Sequence, residues 1–285
     1  MAANHFKVEG ERIDSLSEFL RRETDDAWHN LLFYPESFES ENRHPIVFTS
    51  KNFFEVSFKD TDIKRVRFVR CSFERCLFIG STITDCEFID CKFTETNTSK
   101  LKIKRCLLDP LSFENNFNLV DDTNIAIDLY HSLYRNASEE HQPTHAIESL
   151  YRMKKAENSH LNSQKQRGVI SSRKYYSKKM GHIISDFVSG YGLRTLRVLR
   201  LLLIVIASFS VVNYLLSAYI FPTDTEFTII DSIYFSCITI TTLGFGDITP
   251  VTAFGKLFVT FQALSGFVVI SIFLAAVTNR ALRAR

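Results

Sequence analysis

From Phe48 to Phe113 a large apolar side chain returns at every fifth residue. Phe48, Phe53, Phe58, Ile63, Phe68, Phe73, Phe78, Ile83, Phe88, Phe93, Ile103, Leu108 and Phe113 fill thirteen of the fourteen positions, and Thr98 fills the other. A strand alternates its side chains every two residues and a helix every 3.6, so neither makes such a period. A fixed internal repeat points instead to a unit stacked on copies of itself. Two residues before the repeat positions stand mostly small or aliphatic residues: Val56, Thr61, Val66, Cys71, Cys76, Ser81, Cys86, Cys91, Thr96, Leu101 and Cys106.

This pattern resembles the pentapeptide-repeat family. The resemblance implies a right-handed quadrilateral β-helix, with one pentapeptide per side and twenty residues per coil. Phe48, Phe68, Phe88 and Leu108 then form one column, Phe53, Phe73, Phe93 and Phe113 a second, and Ile63, Ile83 and Ile103 a third. Residues 46–116 would make about three and a half coils at ~4.8 Å each. Each buried phenylalanine contributes roughly 1.5–3 kcal/mol, an ample core for so small a unit. Residues 1–45 are expected to cap the first coil. Ser15 and Glu18 read as a capping box opening a short helix, with Trp28 and Phe33 as plugs. Lys51, at an inward position, places the start of regular pairing near residue 53.

Five of the six cysteines (Cys71, Cys76, Cys86, Cys91, Cys106) lie inside the repeat, at spacings that match no CxxC metal or redox pattern. Stacking of Cys71 near Cys91 and Cys86 near Cys106 gives them a packing role as small apolar residues. No leader pattern opens the chain, so this region is expected in a reducing cytosol. Its face mixes Lys64, Arg65, Arg67, Arg70 and Arg75 with Asp60, Asp62 and Glu74, unlike the acidic rods that mimic nucleic acid, and no nucleic-acid partner is implied.

Residues 117–193 read as a cytosolic helical linker. Ile125, Leu129 and Leu133, then Ala146, Leu150, Met153 and Ala156, mark two helices interrupted near Pro143. His141 and His145 flank that proline in a loop, a poor metal site. Lys165, Arg167, Arg173, Lys174, Lys178 and Lys179 form a basic stretch suited to a solvated flank or to anionic lipid. Residues 182–193 read as an amphipathic lead-in along a membrane face.

Composition changes sharply after residue 193. Residues 201–221 and 257–277 are two runs of 21 residues without a charged side chain, long enough to span a hydrocarbon core of roughly 30 Å. Arg194, Arg197 and Arg200 precede the first run, and Arg280, Arg283 and Arg285 follow the second. Between them Asp224, Glu226, Asp231 and Asp247 outnumber a single Lys256. The positive-inside rule then puts both termini on the cytoplasmic side of an inner (plasma) membrane.

The connection between the runs carries the chemistry. Residues 229–240 are apolar but too short to span, so they should dip into the bilayer and return. Irregular backbone at that depth must line a cavity or be buried in protein. Thr241-Thr242-Leu243-Gly244-Phe245-Gly246-Asp247 follows, and glycines at alternate positions permit positive φ. This segment resembles the potassium-channel signature T-T-x-G-[YF]-G-D, with Leu for the commoner Val and Phe for the commoner Tyr. Residues 199–279 as a whole resemble the all-α pore of two-transmembrane bacterial potassium channels.

That resemblance implies spans at about 199–221 and 253–278, a pore helix at 229–240 and a selectivity filter at 241–246, within a pore domain of residues 194–285. Carbonyls of Thr242, Leu243, Gly244 and Phe245, with Gly246 and the Thr242 hydroxyl, would hold potassium in place of its water shell. Thr241, Asp247 and Tyr234 would support the filter. Ile238 stands where some members carry an acidic partner for the aspartate, so Tyr234 is the candidate to bond Asp247. Phe245 lacks a phenol that could anchor the filter. Gly266 falls at the inner-helix hinge, and Phe267, Ile270, Leu274 and Thr278 would line the inner cavity. One filter strand cannot enclose an ion, so a homotetramer with cyclic symmetry is implied.

These readings converge on a passive potassium channel whose cytosolic repeat assembles it, gates it or recruits a protein or ligand regulator. No cofactor is implied, since potassium is the transported ion. No nucleophile–base or metal-ligand arrangement points to an enzyme. The first span carries no arginine ladder for sensing voltage, and the chain ends nine residues after Ala276, so a built-in regulator is expected upstream. A non-selective cation channel and a membrane-tethered binding module with a vestigial pore are the alternatives.

Overall fold

The computed structural model describes residues 7–40, 44–222 and 227–283, with side chains to residue 278. Asp224, Glu226 and Arg285, and the side chains of Arg280 and Arg283, lie outside the described residues. The chain folds as two units, residues 1–179 and 180–285.

The first unit is a parallel β-solenoid of about five turns followed by helices. One sheet stacks Glu11–Ile13, Ala27–Phe33, Asn52–Ser57, Ser72–Glu74 and Lys92–Thr94. A second stacks Ile46–Thr49, Val66–Val69, Glu87–Ile89 and Leu107–Leu108, and a third Ser37–Phe38, Asp62–Lys64, Thr82–Thr84 and Lys102–Lys104. Isolated bridges from Ser57 to Leu77 to Asn97 make the fourth side. The register is the twenty-residue one: Phe48 pairs with Phe68, Phe68 with Phe88, and Phe88 with Leu108.

The corners account for the period. Ser50, Glu55, Asp60, Arg65, Arg70, Arg75, Gly80, Asp85, Asp90, Glu95, Lys100 and Arg105 all have φ between 50° and 73°. A left-handed L-residue costs roughly 1–2 kcal/mol, comparable to what one buried phenylalanine returns. Only Gly80 escapes that cost. The Cys and Ser side chains at the small inward positions, and Thr96, meet a further demand, because each donates to the carbonyl of a repeat residue in the coil before. Cys76 reaches Phe53 at 3.3 Å, Ser81 reaches Phe58 at 2.5 Å, Cys91 reaches Phe68 at 3.4 Å and Thr96 reaches Phe73 at 3.2 Å. The five solenoid cysteines are buried and unbridged. Burial pushes the Cys76 thiol up to about 12. Outward ion pairs follow the same register, as in Arg75 with Glu55 and Arg105 with Asp85.

The N-terminal reading needs correction. Strands within residues 11–38 join the sheets rather than forming a separate cap, and Lys51 does not mark the start of pairing. Ile13 pairs with Phe33 at twenty residues, but Trp28 pairs with Phe53 and Phe38 with Ile63, a spacing of 25 that makes this coil one pentapeptide longer. Lys51 is accommodated by ion pairs with Glu23 and Asp26. Trp28 is thus part of the ring column, and the plug is Phe19. It lies on α1 (Leu16–Arg21), whose N-cap Ser15 accepts from the Glu18 amide at 3.1 Å. Rings of Phe19, Trp28, Phe53, Phe73, Phe93 and Phe113 stack continuously at centroid separations of 4.2–5.5 Å. The Trp28 indole also donates to the Phe19 carbonyl at 2.8 Å.

At the other end, two asparagines replace the missing next coil. The Asn116 amide accepts from the Thr96 N–H at 2.8 Å and donates to its carbonyl at 2.9 Å. Asn136, on α2 (Thr123–Glu139), does the same for Cys106 at 2.9 and 2.8 Å. Helix α3 (Pro143–Gln166) packs antiparallel on α2, with Thr123 against His160 at 2.8 Å. Helix α4 (Ser172–Ser189) follows, so Arg173, Lys174, Lys178 and Lys179 and most of the amphipathic lead-in belong to one helix, while Lys165 and Arg167 lie at the end of α3.

The second unit contains α5 (Thr195–Leu215), α6 (Ser217–Ile220), α7 (Ile229–Ile240) and α8 (Ala253–Arg283). The first span ends six residues earlier than its apolar run, at a break by Leu216. The break turns two carbonyls toward α8 and the loop before it: Val251 donates to Ile220 at 2.9 Å and Thr252 to Tyr219 at 2.6 Å.

Two outcomes follow. Asn136→Leu should lower stability by about 1–3 kcal/mol, because the buried Cys106 amide loses its acceptor while Gln142 still reaches the carbonyl. Denaturant unfolding followed by Trp28 fluorescence, from the chain's single tryptophan, measures it. Iodoacetamide at pH 8 should alkylate Cys76 roughly a thousandfold more slowly in the native chain than in denaturant, since few of its thiols are ionised.

Candidate functional site

Helix α7 begins where the sequence directs it. Thr228 accepts from the Asp231 amide at 3.2 Å and Asp231 accepts from the Thr228 amide at 2.9 Å, a reciprocal capping box. Its Phe235 packs edge-on against Phe221 at 4.8 Å, beside buried Ile220. The helix ends at Ile240, and the chain curls over its last turn. Leu243 and Gly244 both donate to the Ile238 carbonyl, at 2.9 and 3.2 Å, and the Thr241 hydroxyl donates to that of Cys237 at 2.6 Å.

Beyond that point regular structure stops. Thr242, Gly244 and Gly246 take φ of 60°, 48° and 81°, so left-handed residues alternate along the segment. Among the described residues, no hydrogen bond reaches the carbonyls of residues 242–246. Leu243 and Phe245 are 64% and 70% exposed in the single chain. The Tyr234 hydroxyl donates to Asp247 Oδ2 at 2.7 Å, tying the far end of the segment back to α7. Ile238 is buried and offers no carboxylate, so the phenol alone makes this tie.

Helix α8 lies behind. A Cβ on Gly266 would stand 2.7 Å from Ile240 Cα, so glycine is required here for close approach. Phe267, Leu274 and Thr278 are exposed and Ile270 is half-buried, which makes a stripe turned away from the chain's own core. Only 17% of the most apolar stretch of each long helix is buried within the chain.

Sequence reading missed three residues. Asn213 on α5, Ser236 on α7 and Gln262 on α8 are fully buried together. Asn213 Nδ2 donates to Ser236 Oγ at 2.9 Å and to Gln262 Oε1 at 3.1 Å. The available signal was compositional: Asn213 and Gln262 are the only amide side chains in their apolar runs. Among the described residues, no group of three His, Cys, Asp or Glu side chains is placed to hold a metal ion.

Residues 199–283 match the profile of a protein family described as ion channel. A comparison with curated proteins finds no match.

Gly266→Ala separates packing from hinging. If close approach to Ile240 is what the glycine serves, the variant should lose about 1–3 kcal/mol by overpacking and melt at a lower temperature. A residue needed only for bending would leave the melting temperature unchanged.

Proposed function

We propose, from the premise that residues 199–283 form an ion-channel region, that this chain conducts potassium selectively and passively as a homotetramer. The observation that carries this reading is the alternation of left-handed residues at Thr242, Gly244 and Gly246, directly after a short apolar helix. Carbonyls without donors are costly in a low-dielectric setting, and a dehydrated cation is the partner that suits them. Four copies are needed because one strand presents only one side of such a site. The exposure of Leu243, Phe245, Phe267 and Leu274 in the single chain supports faces completed by neighbouring subunits.

In this reading Thr242, Leu243, Gly244, Phe245 and Gly246 form the filter, with Thr241, Tyr234 and Asp247 as supports. Gly266 keeps α8 close to α7, and Phe267, Ile270, Leu274 and Thr278 line the cavity below. Both termini face the cytoplasm, and the protein resides in the inner membrane. Met180, Ile183, Ile184 and Phe187 are exposed on α4, and they rest on lipid beside basic residues that favour anionic headgroups. The solenoid, built only of rigid stacked coils and their caps, acts as an assembly or regulatory platform for a cytosolic protein or ligand.

Liposomes holding the full-length chain test the reading. A potassium gradient should drive flux that barium blocks and that falls sharply when sodium replaces potassium. Equal flux with sodium would favour a non-selective pore. No flux from assembled tetramers would remove conduction in favour of a tethered binding module.

A further inference from the structure

A filter made of carbonyls is only as selective as their placement, and the helix carrying it must therefore be fixed in rotation and depth. Two supports that this sequence could have used are absent: Phe245 has no hydroxyl, and Ile238 has no carboxylate. The Tyr234–Asp247 bond holds the outer end of the segment. It does not hold the end that springs from α7.

That end is held from behind. Ser236 lies two residues before Ile238, whose carbonyl accepts from both Leu243 and Gly244. Any rotation or slide of α7 moves that carbonyl and the segment with it. Asn213 binds Ser236 and Gln262 at once, so one buried amide joins the first span, the short helix and the second span. One turn after Gln262, Gly266 lies against Ile240. Helix α8 is thereby referenced to α7 at two successive turns, once by hydrogen bonds and once by backbone contact. Apolar side chains tolerate small slides, whereas hydrogen bonds in apolar surroundings demand distance and direction. The arrangement also carries a cost, because Asn213 Oδ1 and Gln262 Nε2 are buried without a partner. Such a cost is retained where position matters more than stability.

We propose that Asn213, Ser236 and Gln262 are positioning residues for ion selectivity, acting through α7 on the carbonyls of residues 242–245. This rests on the potassium-channel reading above. Ser236→Ala removes the hydroxyl with little change in volume. The pair Asn213→Leu with Gln262→Leu replaces both amides by apolar groups of similar size, a change that is often near neutral for stability.

The experiment compares bi-ionic reversal potentials of full-length wild type and these variants in planar bilayers, alongside their melting temperatures. The expected result is melting close to wild type with a potassium-to-sodium permeability ratio lowered about tenfold, equivalent to about 1.4 kcal/mol. A ratio within about twofold of wild type in assembled Ser236→Ala would overturn the proposal, whether or not the double variant assembles. A wild type that fails to prefer potassium would instead sink the potassium-selective reading. In that case hydrogen exchange at the amides of residues 237–244 decides the positioning claim. Exchange about tenfold faster in Ser236→Ala would uphold it, and unchanged exchange would overturn it.

Discussion

Every backbone carbonyl withdrawn from water needs a partner, and both units of this protein are built around that requirement. In the solenoid the chain turns a corner every five residues through a left-handed residue. Inward Cys, Ser and Thr side chains answer the requirement by donating to a carbonyl of the preceding coil. The last coil has no successor, so Asn116 and Asn136 present their amides in place of a strand. In the second unit the same kind of left-handed turn recurs at Thr242, Gly244 and Gly246, with no donor offered by the described residues. One unit meets the demand with side chains, and the other leaves these carbonyls without a donor among the described residues.

The two units also differ in how they hold their shape. Six stacked rings from Phe19 to Phe113 run the length of the solenoid, and parallel strands keep them in register. The core is continuous, so a defect at one coil is felt by its neighbours. The second unit has no such core. Its long helices bury little of themselves, and its order comes from a few contacts: the Phe221–Phe235 pair, Gly266 on Ile240, and the buried Asn213 amide. Long apolar helices that are so little buried within the chain are of the kind that can cross a membrane.

Much of this was legible in the sequence because it is local. The twenty-residue columns and the helix at residues 229–240 follow from short spacings, and the bond between Tyr234 and Asp247 was implied by the resemblance to potassium channels. The longer coil was hidden because it is 25 residues, which moves Trp28 from the column of Phe48, twenty residues on, to that of Phe53. Phe19 escaped because a helix carries it onto the ring stack, outside any repeat. The Asn213–Ser236–Gln262 cluster joins positions 23 and 49 residues apart, and no periodicity records such a meeting. The break at Leu216 lies within an apolar run that reads as one continuous span.

The central claim is that four copies of residues 242–246 surround potassium on a common axis. Crystals of the full-length protein grown in thallium, whose anomalous scattering marks a potassium-sized ion, test it most directly. The account predicts a tetramer with a row of anomalous peaks on the fourfold axis, level with the carbonyls of Thr242, Leu243, Gly244 and Phe245. A different symmetry, or a tetramer whose axis at that level carries no such peaks, would contradict it.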